Sequence, residues 1–174
     1  MPETEDTDQA LPDDAFRDVR PDFGPHAASP AFSPQEDGLK LSAPKRARAA
    51  AGAIVPLCCS YQMQAETRSR LGGVDWEKVS LVVYREDGLY AIVGAMGVMP
   101  APPPGPPVDF SDMPRDEEDD AMPLEEPDSV GGFRNIDLRE QVALPIGPGV
   151  FYAFVAWSGL LSNTVRVELT PEGK

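Results

Sequence analysis

Strict alternation of apolar and polar side chains over residues 164–170 constrains this chain more than any other feature. Val165, Val167 and Leu169 fall on one side of an extended segment; Thr164, Arg166, Glu168 and Thr170 fall on the other. A period of two marks a strand with one packed face and one wet face. Just before it, Phe151-Tyr152-Ala153-Phe154-Val155-Ala156-Trp157 is aromatic and β-branched, a composition suited to a pleated, half-buried surface. Ser158-Gly159 supplies turn chemistry between the two. Residues 149–170 therefore read as a β-hairpin. A lone hairpin is marginal in water, so other strands must complete a sheet.

Candidates for those strands recur along the chain. Residues 38–42 alternate briefly. Residues 53–63 form a second candidate, in which Pro56 points to an edge, a bulge or a strand start. In 74–85, Val79, Leu81 and Val83 face one way and Lys78, Ser80, Val82 and Tyr84 the other. Glu86-Asp87-Gly88 reads as a tight turn into a partner strand over 89–96. Residues 66–73, ending in Gly72-Gly73, read as a connection, and alternation resumes over 133–144. No helix-length segment carries a convincing apolar stripe; 47–53 is a weak exception. Short strands punctuated by turns predict an all-β fold, an antiparallel β-sandwich.

The 20 prolines and 15 glycines among 174 residues concentrate outside the apolar runs. Residues 1–37 are acidic, rich in proline and without sustained period, so the expectation is a disordered tail. Phe16, Phe23 and Phe32 punctuate it, either to dock on a partner or to fold back on the sandwich. Residues 38–174 form the β-sandwich domain, broken by a flexible insertion over 100–129. There, Pro102-Pro103-Pro104-Gly105-Pro106-Pro107 favours polyproline II, and Asp116, Glu117, Glu118, Asp119 and Asp120 form a self-repelling run. Lys45, Arg46 and Arg48 make the one concentrated basic stretch, read as a charged turn or protected strand edge.

With 29 acidic against 15 basic residues the formal charge is −14. Nonspecific attraction to nucleic acid or anionic lipid is thereby unfavourable, and a partner with a basic surface is favoured. No apolar stretch approaches the ~20 residues of a membrane span, and the first residues lack the pattern of a signal peptide. The expectation is a soluble, cytoplasmic protein. Cys58 and Cys59 are neighbours, and neighbours on a strand point to opposite faces, so they are read as small buried residues and not as a disulfide.

In Leu144-Pro145, Gly149, the aromatic Phe151-Tyr152-Ala153-Phe154 and the segment 162–169, the chain resembles the last two strands of immunoglobulin-like and fibronectin-III-like β-sandwiches. The similarity covers the final quarter. It departs from antibody domains in cysteine placement, since Cys58 and Cys59 have no partner in the later strand, and Trp76 is the candidate for a core tryptophan. The resemblance implies a binding role and no particular ligand.

Nothing in the sequence assembles catalytic chemistry. His26 is the single histidine and lies in the expected tail, with nothing to hold it as a base. One histidine does not make the usual zinc centre, and the acidic run lacks the ligand alternation and glycine of a calcium loop. The expectation is a non-catalytic protein–protein interaction module without a cofactor. It would bind through a sheet edge or face, with Asp116, Glu117, Glu118, Asp119 and Asp120 as partner contacts. Two alternatives stand beside it. One is an acidic inhibitor or immunity-type protein that blocks a basic enzyme. The other is a carbohydrate-binding sandwich with Trp76, Tyr84, Tyr90 or Trp157 as stacking platforms.

Overall fold

The computed structural model describes residues 11–88, 91–97, 128–142 and 147–171. The strands are β1 Gly38–Ser42, β2 Arg46–Arg48, β3 Pro56–Gln64, β4 Ser80–Arg85, β5 Ala91–Ala95, β6 Ser129–Asp137, β7 Gly149–Trp157, β8 Leu160–Leu161 and β9 Val165–Thr170. Two short helices, α1 Ala65–Leu71 and α2 Leu138–Val142, follow β3 and β6. The smaller sheet runs β1-β3-β6 and the larger β2-β9-β7-β4-β5, with β8 added beside β7. All pairings are antiparallel except β2 with β9. The fold is thus all-β, two sheets around one core, an arrangement compatible with a β-sandwich.

Alternation decides which side chains enter that core. Val79, Leu81 and Val83 meet Phe151, Ala153, Val155 and Trp157 from β7, and Val167 and Leu169 from β9. From the smaller sheet come Leu39, Leu41, Leu57, Cys59, Met63 and Ile136. Pro56 opens β3, the middle strand of its sheet, where its missing N–H costs nothing inside the ladder. Ser158 (φ 46°) and Gly159 (φ 85°) make the left-handed pair that a two-residue hairpin turn requires.

The C-terminal hairpin is not continuous. Ala156 faces Leu161, yet Ala153 faces Val165, so four steps on one arm match three on the other. The extra residue within 162–164 is a bulge, and it releases Asn163 toward the other sheet. Its Oδ1 accepts the Leu41 N–H at 2.8 Å and its Nδ2 donates to the Leu41 carbonyl at 3.0 Å. One side chain thereby satisfies an outward-facing backbone pair on the β1 edge.

Two connections differ from the expected pattern. The connection read over 66–73 carries a helix at residues 65–71, and the strand expected over 133–144 ends at Asp137. There Asp137 Oδ1 accepts the N–H groups of Arg139 at 3.1 Å and Val55 at 3.0 Å, capping α2 and tying it to β3's entry.

The larger correction concerns the tail expected over 1–37. Residues 11–37 form an ordered layer on the outer face of the smaller sheet. Phe16, in the 3-10 turn Asp13–Phe16, packs with Val19, Ala28 and Cys58 in a second apolar cluster. Asp22 forms a backbone bridge with Asn135, at 3.1 and 2.9 Å, and its carboxylate accepts Asn135 Nδ2 at 2.5 Å. Gln62 Nε2 donates to the Ser33 and Glu36 carbonyls at 2.7 and 2.9 Å. An irregular segment holds here because the sheet's outward polar side chains satisfy its backbone, so no regular period is needed. Residues 1–10 and 98–127, and with them most of the insertion expected over 100–129, lie outside the described residues.

Cys58 and Cys59 therefore point into different cores, Cys58 under the N-terminal layer and Cys59 between the sheets. Burial pushes the Cys58 thiol up to about 12 and raises that of Cys59 further. Both should resist maleimide labelling at pH 8, where a thiol of ordinary pKa is partly ionised. A variant beginning at Gly38 should label at Cys58 while Cys59 stays protected. Equal protection of both thiols in that variant would count against the layer.

Candidate functional site

The residues singled out by chemistry do not converge. Asp116, Glu117, Glu118, Asp119 and Asp120 lie outside the described residues, as does Tyr90. His26 sits in a turn where its N–H donates to Ser29 Oγ at 2.8 Å and its carbonyl accepts the Ser29 N–H at 2.9 Å. Trp157 is a core residue, and Trp76 packs edge-to-face on Tyr61 with ring centroids 5.7 Å apart. Tyr84 does face outward, but it stacks on Tyr152 at 5.3 Å and 16° between planes. Each ring thus spends a face on the other. Among the described residues no group of three or more His, Cys, Asp or Glu could hold a metal ion.

What does stand out is a contrast between the two outer faces. The smaller sheet's is covered by residues 11–37. The larger sheet's is apolar and, among the described residues, carries no such layer. Its rows follow from register. Ala95, Ser80, Ala156 and Leu161 lie across one row, and Val93, Val82 and Phe154 across the next. Val93 is 67% exposed and Leu161 66%, values far from those of core residues of the same type. A third row carries Tyr84, Tyr152 and Arg166, and a fourth Val150, Glu168 and Arg46.

Charge is confined to one side of this face. Arg166 and Arg46 both reach Glu168, at 3.8 and 3.9 Å, and the Tyr152 hydroxyl bonds Glu86 Oε1 at 3.2 Å. These exposed pairs add little stability. They make a polar border to an apolar centre on rigid strands, the anatomy of a docking surface and not of a concave small-molecule site.

The sequence did carry a signal for this face. In residues 150–157 both parities are apolar: Phe151, Ala153, Val155 and Trp157 point in, while Val150, Tyr152, Phe154 and Ala156 point out. A strand apolar on both faces needs a second layer, and the chain supplies that layer to the other sheet.

A buried cation lies across the molecule. Arg134 on β6 is 1% exposed; its Nε donates to the Met96 carbonyl at 2.9 Å, and its guanidinium lies 4.5 Å from the Phe23 ring centroid. Burial lowers its pKa, a trend the Asp22 carboxylate opposes. It ties β6 to the end of β5. Comparison of the chain with protein-family models, curated proteins and solved structures found no match.

Proposed function

We propose that this chain is a non-catalytic interaction module whose partner protein docks on the outer face of its larger sheet. The observation that carries this reading is the row of Val82, Val93 and Phe154, with Leu161 in the row beside it, apolar and outward on paired strands. Exposed apolar area of this kind is rare on a monomer unless it meets something. With a net charge of −14 the partner best suited is one with a basic surface around its own apolar patch. Residues Asp116, Glu117, Glu118, Asp119 and Asp120 would add to its long-range steering.

The immunoglobulin-like reading of the fold belongs to the same proposal. Its support is strand order: β9-β7-β4-β5 follows the G-F-C-C′ order of such domains, and β1-β3-β6 follows A-B-E. The module reading rests on the face and not on this analogy.

A photoreactive residue at Val93 tests it. Crosslinking should concentrate on one basic protein, and that purified partner should bind the Val93→Glu/Leu161→Glu variant at least about tenfold more weakly with an unchanged melting temperature. Crosslinks scattered without preference, or unchanged affinity in the variant, would remove the face from the account.

A further inference from the structure

We infer that the open edge of β2 is a second binding site, one that receives an extended acidic strand from a partner protein. The other sheet edges end on side chains or on a helix. Asn163 satisfies Leu41 on the β1 edge, and Asp22 bridges Asn135 on the β6 edge. At the β5 edge, α2 packs against Gly94, and Gln141 Nε2 donates to the Ala95 carbonyl. An unpaired edge is a template for another chain, and among the described residues three of the four sheet-end strands are closed or obstructed.

The fourth is different. Glu168 N–H bonds the Lys45 carbonyl at 2.9 Å and Ala49 N–H bonds the Thr170 carbonyl at 2.8 Å. These bonds use Lys45 and Ala49, the odd-numbered residues that flank β2. In a parallel ladder the alternate residues, Arg46 and Arg48, then aim their N–H and C=O groups away from β9. Among the described residues nothing pairs with those groups.

Beside this edge lies a cleft of about 390 Å³. Its lining includes Arg17, Arg20 and Arg46, with Phe16, Val19 and the 39% exposed Ile54. Among the described residues of the lining the one carboxylate, Asp13, is engaged by the Lys45 N–H at 2.6 Å. A chain of net charge −14 thus gathers cations around one open strand edge.

Charge selects the occupant. Side chains of Arg46 and Arg48 project to the outer side of the sheet, opposite Glu168 and Thr170, while Ala47 points inward. A second copy pairing β2 with β2 would set arginine against arginine, which is repulsive. An added strand with carboxylates on one face meets Arg46 and Arg48 with those, and its other face turns apolar side chains toward Ile54 and the cleft. Backbone pairing supplies affinity and the alternation supplies specificity, as in other strand-addition complexes. Arg17 and Arg20 at the cleft wall add positive potential that draws an acidic strand to this edge.

The probe is a blocked peptide of alternating Glu and Val, titrated into the full chain and followed by amide NMR. The Arg46 and Arg48 amides should shift and their hydrogen exchange should slow. A Gln/Val peptide should bind about tenfold more weakly or worse, and a Glu/Val peptide N-methylated at alternate residues on its pairing edge should lose binding. Arg17→Glu/Arg20→Glu, two exposed positions, should weaken the Glu/Val peptide by a similar factor at an unchanged melting temperature. Val93→Glu/Leu161→Glu should leave this binding intact, which separates the site from the docking face. Absence of binding, equal binding of Glu/Val and Gln/Val peptides, or binding that leaves the Arg46 and Arg48 amides unmoved overturns the inference.

Discussion

Val167→Asp is expected to abolish cooperative folding at physiological temperature. Val167 is 2% exposed, packed between the sheets with Phe151 opposite it on β7. A carboxylate placed there sits among apolar side chains, with Phe151 as its cross-strand neighbour. Burying an unpaired charge is costly enough to consume much of the ~5–15 kcal/mol by which a domain is stable. Arg166→Asp, one residue away, lies on the outer face and should change stability by only about 0.5 kcal/mol. Adjacent positions make this a test of register, because a one-residue slip exchanges the two faces. Thermal melts of both variants decide it: a more damaging Arg166→Asp would sink the inward assignment of Val165, Val167 and Leu169.

Phe16→Ala should be the most damaging change in the first 37 residues, costing about 3 kcal/mol. Phe16 is 3% exposed and closes the cluster over Cys58 together with Val19 and Ala28. Phe23→Ala removes a ring that is 47% exposed and covers the buried Arg134 guanidinium, an interaction worth about 1–2 kcal/mol between the exposed and desolvated limits. The two phenylalanines look alike in sequence, set among acids and prolines, so the ratio of their effects reports the layer directly. Urea unfolding supplies both values. Equal losses below about 0.5 kcal/mol would mean that residues 11–37 add nothing to the fold. If the layer peels away locally, Phe16→Ala should also open Cys58 to labelling while Cys59 stays closed, since Cys59 lies between the sheets.

The physics of these two variants differs in how far it could be read in advance. For Val167, alternation alone names the buried face, because the pleat forces residues i and i+2 to one side whatever the partner strand is. The same holds for Val79, Leu81 and Val83, for the turn at Ser158-Gly159, and for the opposed directions of Cys58 and Cys59. Local stereochemistry determines all of these.

What lies outside local stereochemistry had to wait for the tertiary structure. Residues 11–37 have no period because they are not a strand or a helix. They are held by long-range bonds from Gln62, Gln64 and Asn135, and composition without those partners resembles a solvated tail. The parallel pairing of β2 with β9 joins residues more than a hundred positions apart, and a short Arg-Ala-Arg segment does not announce it. The candidate site has the same origin. Strand β7 is apolar on both sides, so its sequence requires something to cover its outer face. Which sheet the chain's own N-terminal layer covers, and which it leaves bare, depends on where that layer finds polar side chains to satisfy its backbone. The smaller sheet offers them in Ser42, Gln62, Gln64 and Asn135, whereas the centre of the larger sheet offers Val82, Val93 and Phe154, so the layer settles on the first, and among the described residues the second carries none.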